Sequence, residues 1–172
     1  GPGMTGERDA VRRIRAVRES SDFIALVVRI DSPGGSTVAS ELIRREIELT
    51  KKAGKPVVAS FGDYAASGGY WIALAANKIV TDPMSVTGSI GVFGMMPTFE
   101  KSLEKLSLGA DGASTSSMAD ITNPIKGVTA EYDKMMELTV ARTYRDFITL
   151  VSKARRMNEQ KVADLAQGRV FT

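Results

Sequence analysis

The run Phe23-Ile-Ala-Leu-Val-Val-Arg-Ile30 is apolar at odd and even positions alike and rich in β-branched residues. That pattern predicts a strand buried on both faces of a parallel sheet. It stops at Asp31-Ser-Pro-Gly-Gly35, a strong turn signal, and a short charged helix around Arg12–Arg18 precedes it. Ser36–Lys52 then reads as a helix, with Val38, Leu42, Ile43 and Ile47 on one face. Lys51 and Lys52 suit its negative end, and Gly54 serves as the stop. A second buried strand is expected at Pro56–Ser60, a small-residue helix at Ser67–Ala76 and a short strand at Lys78–Val80. Strand, helix, strand, helix, strand argues an α/β fold with parallel strands and right-handed crossovers.

Downstream, Thr98–Leu106 predicts another helix, and Gly109–Gly127 is a polar stretch that reads as a long loop. Tyr132, Met135, Met136, Val140, Tyr144, Phe147, Ile148 and Val151 mark one side of a long amphipathic helix, followed by a helix over Asn158–Ala166. With no internal repeat and no dividing linker, residues 1–172 are expected to form a single catalytic-type domain.

Composition changes this picture mainly through two absences. There is no cysteine, which excludes disulfides and thiolate metal sites, and no histidine, which excludes a Ser-His-Asp triad within the chain. A nucleophilic serine here needs a different base. The net charge of +3 is spread among interleaved acidic residues, which favours solvated helix faces over an anionic partner such as nucleic acid or a membrane surface. The longest apolar runs, Ile24–Val28 and Trp71–Ala76, are too short to span a bilayer.

Three glycine-containing motifs could carry chemistry. Asp31-Ser-Pro-Gly-Gly35 follows a buried strand, where ligands of open α/β sheets bind, and its glycines can direct a free amide at a developing oxyanion. Taken alone, it is more often just a strand-to-helix turn. Ala65-Ala-Ser-Gly-Gly-Tyr-Trp71 opens a helix with Ser67, either as a nucleophile supported by the helix dipole or, more commonly for serine, as an N-cap. Tyr70 and Trp71 are expected to pack. Thr87-Gly-Ser-Ile-Gly-Val92 places Ser89 in a glycine-rich segment, either to hydrogen-bond a catalytic base or to close a tight turn, and its spacing alone favours the turn. Together the first two motifs supply a nucleophile and two amides, the set that acyl transfer requires.

In this order and spacing the three motifs resemble the signal peptide peptidase A family, membrane-bound serine proteases with the Clp protease/crotonase fold. The resemblance runs from about residue 10 to the end and includes Gln167-Gly-Arg-Val170. It implies a spiral of βαβ units and a Ser-Lys dyad without cofactor or metal. Ser67 would be the nucleophile, the amides of Gly35 and Gly68 the oxyanion hole, and Ser89 the residue that orients the lysine. It also implies peptide substrates, especially signal peptide remnants, and a homo-oligomer, tetrameric in the long form. The implied location is the periplasmic face of a bacterial inner membrane, or a thylakoid membrane, with membrane attachment through parts outside this sequence.

One feature departs from the short-form members, which carry the base lysine about fifty residues after the nucleophile. Here that region reads Gly112-Ala-Ser-Thr-Ser-Ser-Met-Ala-Asp120, without lysine. The stretch is similar to the C-terminal half of the long, tandem form, in which the other half supplies the lysine. The chain is therefore expected to be part of a longer protein and nearly inactive alone. Lys126 is the nearest local substitute, in the wrong register, while Lys55 and Lys78 flank strands and read as structural. Rival readings are a crotonase-type acyl-CoA enzyme and a non-catalytic assembly half.

Overall fold

A computed structural model of the chain describes residues 5–113, 115, 116, 119 and 121–172. The elements are α1 (Glu7–Glu19), β1 (Leu26–Ser32), α2 (Thr37–Lys52), β2 (Val57–Ala66), α3 (Gly68–Ala73), β3 (Lys78–Val80), β4 (Val86–Gly88), α4 (Glu100–Glu104), α5 (Ala130–Arg155), α6 (Glu159–Ala166) and β5 (Val170–Phe171). Contacts divide them into two compact units, Gly1–Gly91 with Tyr144–Thr172, and Val92–Thr143.

The first unit holds the sheet. β2 is its spine: β1 lies parallel along one edge, while β3 and β4 pair in parallel with successive halves of the other. β3 meets Val58–Ser60 and β4 meets Tyr64–Ala66, and β5 closes the far side antiparallel to β4. Mostly parallel strands with helical crossovers fulfil the α/β expectation. Ile30, Ala59, Phe61, Ala65 and Ala73 form one core cluster, and Ile14, Ile47, Val57 and Ala75 continue it under α1 and α2. Trp71, Leu74 and Ile90 pack with Phe147, Ile148 and Val151 of α5 and with Val162 and Ala166 of α6.

Two patterns turn out differently from the sequence expectation. β1 buries Ile30 and partly buries Leu26 and Val28, but Val27 is 67% exposed and Arg29 also faces solvent. Its second apolar face is therefore uncovered. In α2 the buried positions are Ser40, Glu46, Ile47 and Thr50, with Ile43 half-buried, while Val38 is 71% exposed and Leu42 48%. The helix is rotated towards polar residues because each of the larger ones finds a partner. The Thr50 hydroxyl donates to the Glu46 carbonyl at 2.9 Å. The Glu46 carboxylate receives Arg18 Nε at 2.9 Å and Arg15 Nη2 at 3.1 Å from α1. Buried polar groups are tolerated when so paired.

In the second unit α4 is shorter than the expected Thr98–Leu106 helix. The expected loop Gly109–Gly127 includes Ser114, Ser117, Met118 and Asp120, which lie outside the described residues. Its described part contains neither helix nor strand. No helix among the described residues is long and apolar enough to cross a membrane.

Candidate active site

The site begins with a mismatch of register between β1 and β2. Leu26 pairs with Val57 and Ile30 with Phe61, but Ser32 pairs with Ala65. Two residues of β1 therefore face four of β2, a bulge of the kind that re-aims a strand. Asp31 stabilises it: its Oδ1 accepts the Tyr64 amide at 3.1 Å, and its carboxyl group fills the place where a Cβ on Gly62 would stand, 2.6 Å away. Continued in the new register, Ser67 falls level with Gly34 instead of Ser36.

The contacts agree. A Cβ on Gly34, whose φ is +136°, would lie 2.9 Å from Ser67 Cβ, 3.2 Å from Ser67 Oγ and 3.4 Å from the Gly68 nitrogen. One on Gly68 would lie 2.5 Å from Ser40 Oγ and 3.2 Å from the Gly35 nitrogen. Only glycine fits this approach. Ser32 pins the turn, its hydroxyl accepting the Gly34 amide at 3.3 Å and donating to the Gly34 carbonyl at 3.1 Å.

Ser67 itself occupies a sharp strand-to-helix turn at φ 50°, ψ −118°, and its side chain makes no capping hydrogen bond. The N-cap reading is thereby excluded, since a capping serine has extended backbone and accepts an amide. Such a strained backbone costs on the order of 1–3 kcal/mol and persists where the surroundings impose it. Here the Ser67 amide donates to the Gly88 carbonyl at 2.9 Å, and its carbonyl accepts the Trp71 amide at 2.9 Å. α3 has only six residues, so dipole support for a serine anion is slighter than the expected ten-residue helix would give.

Ser89 lies just beyond β4, whose Gly88 pairs with Ala66, so Ser67 and Ser89 follow adjacent parallel strand ends. Ser89 also has positive φ, 49°, and its amide donates to the Arg169 carbonyl at 2.7 Å. The segment expected to be a turn is thus a strand end. The structure brings Gly34, Gly35, Ser67 and Gly68 into direct contact and puts Ser89 in the next strand. Tyr70 and Trp71 do pack: Tyr70 meets Phe61 edge-on at 6.4 Å, and Trp71 meets Phe147 at 4.6 Å. Burial raises the Tyr70 hydroxyl above the usual tyrosine range.

The lysines divide plainly. Lys55 Nζ donates to the carbonyls of Val17 (2.6 Å) and Ser20, fastening the end of α1, and Lys78 pairs level with Val58 at the opposite end of β2 from Ser67. Lys126 belongs to the second unit, its Nζ 3.5 Å from the Cβ position of Gly112. Among the described residues no group of histidine, cysteine or carboxylates could hold a metal ion. Sequence reasoning missed Asp31 as bulge support and Ser40 as the small residue facing Gly68. The signal for Ser40 was a serine in the apolar register of α2, opposite a glycine-rich helix.

Residues 49–172 match the sequence profile of peptidase family S49. Protease 4 of Salmonella typhi is 46% identical over 171 residues, 99% of this chain and 28% of that protein. Protease 4 of Haemophilus influenzae is 42% identical over 164 residues, 95% of this chain and 26% of that protein. The chloroplastic serine protease SPPA of Arabidopsis thaliana is 40% identical over 166 residues, 94% of this chain and 24% of that protein. The chain therefore spans well under half the length of these relatives. Among solved structures, a ClpP1 mutant from Listeria monocytogenes superposes with a TM-score of 0.61 at 15% identity, covering 96% of this chain and 73% of that one. That likeness is one of fold: the sheet and its crossovers are of the Clp protease type.

Proposed function

The chain belongs to peptidase family S49, and from that premise we propose that it bears the nucleophile of a serine endopeptidase, Ser67, with a lysine base supplied by another part of a longer protein. The observation that carries this reading is the strained, uncapped Ser67 packed against Gly34, with the Gly68 and Gly35 amides beside it.

In this mechanism a neutral lysine amine takes the Ser67 hydroxyl proton as Oγ bonds to the scissile carbonyl carbon. The carbonyl oxygen becomes an oxyanion held by the N–H groups of Gly35 and Gly68, preorganised donors of the kind that stabilise tetrahedral intermediates. Collapse breaks the C–N bond, and the lysine returns its proton to the leaving amine. Water then attacks the acyl carbon as the lysine takes its proton; the C–Oγ bond breaks, the lysine passes that proton to Ser67 Oγ, and the acid is released with serine and neutral amine restored. A desolvated lysine is neutral enough to act this way, and the scheme needs no histidine. Ser89, at the neighbouring strand end, is assigned to orient the amine. Apolar peptides, including signal peptide remnants, are the proposed substrates; a homo-oligomer at a membrane surface is the proposed setting. A relative from Enterococcus faecium, 30% identical, bears the name putative signal peptide peptidase SppA.

The test is hydrolysis of an apolar fluorogenic peptide by the full-length protein. Ser67→Ala is expected to reduce kcat at least about a thousandfold, as loss of an acyl-transfer nucleophile does. Undiminished turnover would refute the assignment. The 172-residue chain alone is expected to be nearly inactive; hydrolysis by it that disappears in both Ser67→Ala and Lys126→Ala would make Lys126 the base instead.

A further inference from the structure

The indole N–H of Trp71 is not left to packing. Trp71 is 5% exposed, and its Nε1 donates to Glu41 Oε2 at 2.8 Å. Glu41 is itself aligned by Arg44, whose Nε and Nη2 reach Oε2 at 2.7 Å and Oε1 at 2.9 Å. Arg44 is anchored further by Glu48 at 3.2 Å. Two-pronged guanidinium–carboxylate pairs of this sort fix orientation as well as charge.

The placement of this bond is what gives it meaning. Glu41 lies early in α2, the helix that follows Gly34–Gly35 with Ser36 as its cap. Trp71 lies in α3, the helix that opens directly after Ser67, and its backbone amide holds the Ser67 carbonyl. The preceding residue of α2, Ser40, fills the space against Gly68. Consecutive residues of one helix thus grip both ends of the first turn of the other, Ser40 by contact and Glu41 by a directional bond.

We propose that Glu41 is a positioning residue which, through the Trp71 indole, sets the spacing between the Gly35 and Gly68 amides. The inference rests on reading those amides as the oxyanion hole. Without the carboxylate the ring keeps its packing on Phe147, but the directional bond from Trp71 of α3 to Glu41 of α2 is lost. Misplacement of catalytic groups by a fraction of an ångström is felt in turnover more than in ground-state binding.

The experiment uses the full-length protein and measures kcat, KM and the affinity of a peptide aldehyde whose hemiacetal oxygen would occupy the hole, each per folded molecule by circular dichroism. Glu41→Ala is expected to lower kcat and aldehyde affinity roughly tenfold with KM changed less than about twofold. Glu41→Gln, which keeps an acceptor for the indole, is expected to recover to within about threefold of the parent. Trp71→Phe removes the donor from the other side and serves as the same test if Glu41→Ala fails to fold. Turnover retained in Glu41→Ala or Trp71→Phe, in a protein that Ser67→Ala inactivates, would overturn the inference and leave the nucleophile standing. Equal losses in the Ala and Gln variants would overturn it too. Activity surviving Ser67→Ala would remove the site reading and this inference with it.

Discussion

A single methyl group at Gly34 or at Gly35 separates two requirements that the paired glycines place on this turn. Both have positive φ, +136° and +152°, so alanine at either pays backbone strain on the order of 1–3 kcal/mol. Only Gly34 is also crowded: its Cβ would stand 2.9 Å from Ser67 Cβ, against an ordinary carbon contact of about 3.5–4.0 Å, whereas a Cβ on Gly35 meets nothing within 4 Å. Overpacking of that kind costs typically about 1–3 kcal/mol more. Gly34→Ala should therefore lose about 2–6 kcal/mol and Gly35→Ala about 1–3, the gap reporting the contact with Ser67. Urea unfolding followed by the fluorescence of Trp71, the chain's one tryptophan, measures both. Peptide hydrolysis by the full-length variants gives the functional side, where Gly34→Ala should be the more damaged because the side chain it displaces is that of Ser67, the proposed nucleophile. Equal stabilities together with equal rates for the two variants would refute the claim that Gly34 packs on Ser67.

Two further outcomes follow from neighbouring contacts. Gly68→Ala puts a Cβ 2.5 Å from Ser40 Oγ, so it should destabilise by roughly 1–3 kcal/mol, and Ser40→Ala in the same molecule should return part of the loss. A double-mutant cycle without coupling of at least about 0.5 kcal/mol would contradict the contact. For Glu46, burial is the largest single influence and opposes ionisation, yet the guanidiniums of Arg15 and Arg18 together outweigh it and hold the carboxyl below the usual glutamate range. A lowered folded pKa means stability that is present above the unfolded value, about 4.3, and is lost as pH falls through the lower folded one. The stability gap between the parent and Glu46→Gln, about 1–3 kcal/mol for a charged hydrogen-bonded group, should thus hold from pH 7 to about 5 and close in stronger acid. A gap that widened on acidification would reverse the argument.

How far the sequence could be read depended on whether a feature was local. The strand expected over Phe23–Ile30 and found at Leu26–Ser32, the helix ending at Lys52 and the 26-residue α5 all announced themselves by periodicity or by continuous apolar runs. β4 did not. Val86–Gly88 has three residues and is a strand because Tyr64–Ala66 lies beside it, a tertiary cause that glycine-rich spacing disguised as a turn. The face of α2 was misjudged for a related reason. Ile43 and Ile47 pointed inward as expected, but the helix could not also turn Leu42 and Val38 to the core while Ser40 met Gly68 and Glu46 met two arginines. At the site, glycines flanking Ser67 were visible in the sequence, whereas its backbone at φ 50° was not, because the hydrogen bond to Gly88 that helps impose it comes from a strand twenty-one residues on.

Register is the level at which the two glycine motifs become one site. Paired by the offset that holds from Leu26 to Ile30, the end of β1 would bring Ser36 level with Ser67 and leave Gly34 beside Ala65. A helix cap would then face the serine, and the glycine whose lack of a Cβ admits close approach would be two residues away. The extra pair of residues in β2 removes that error, and each device that maintains it is small: one carboxylate oxygen on the Tyr64 amide, and a glycine at 62 whose missing side chain gives that carboxyl room. The Asp31-Ser-Pro-Gly-Gly35 motif thus has a division of labour along its length. Asp31 sets the register, Ser32 pins the backbone of Gly34, Gly34 yields space to Ser67, and Gly35 presents its amide close to Gly68. Strand pairing, rather than proximity in sequence, is what turns five ordinary turn residues into half of a candidate active site.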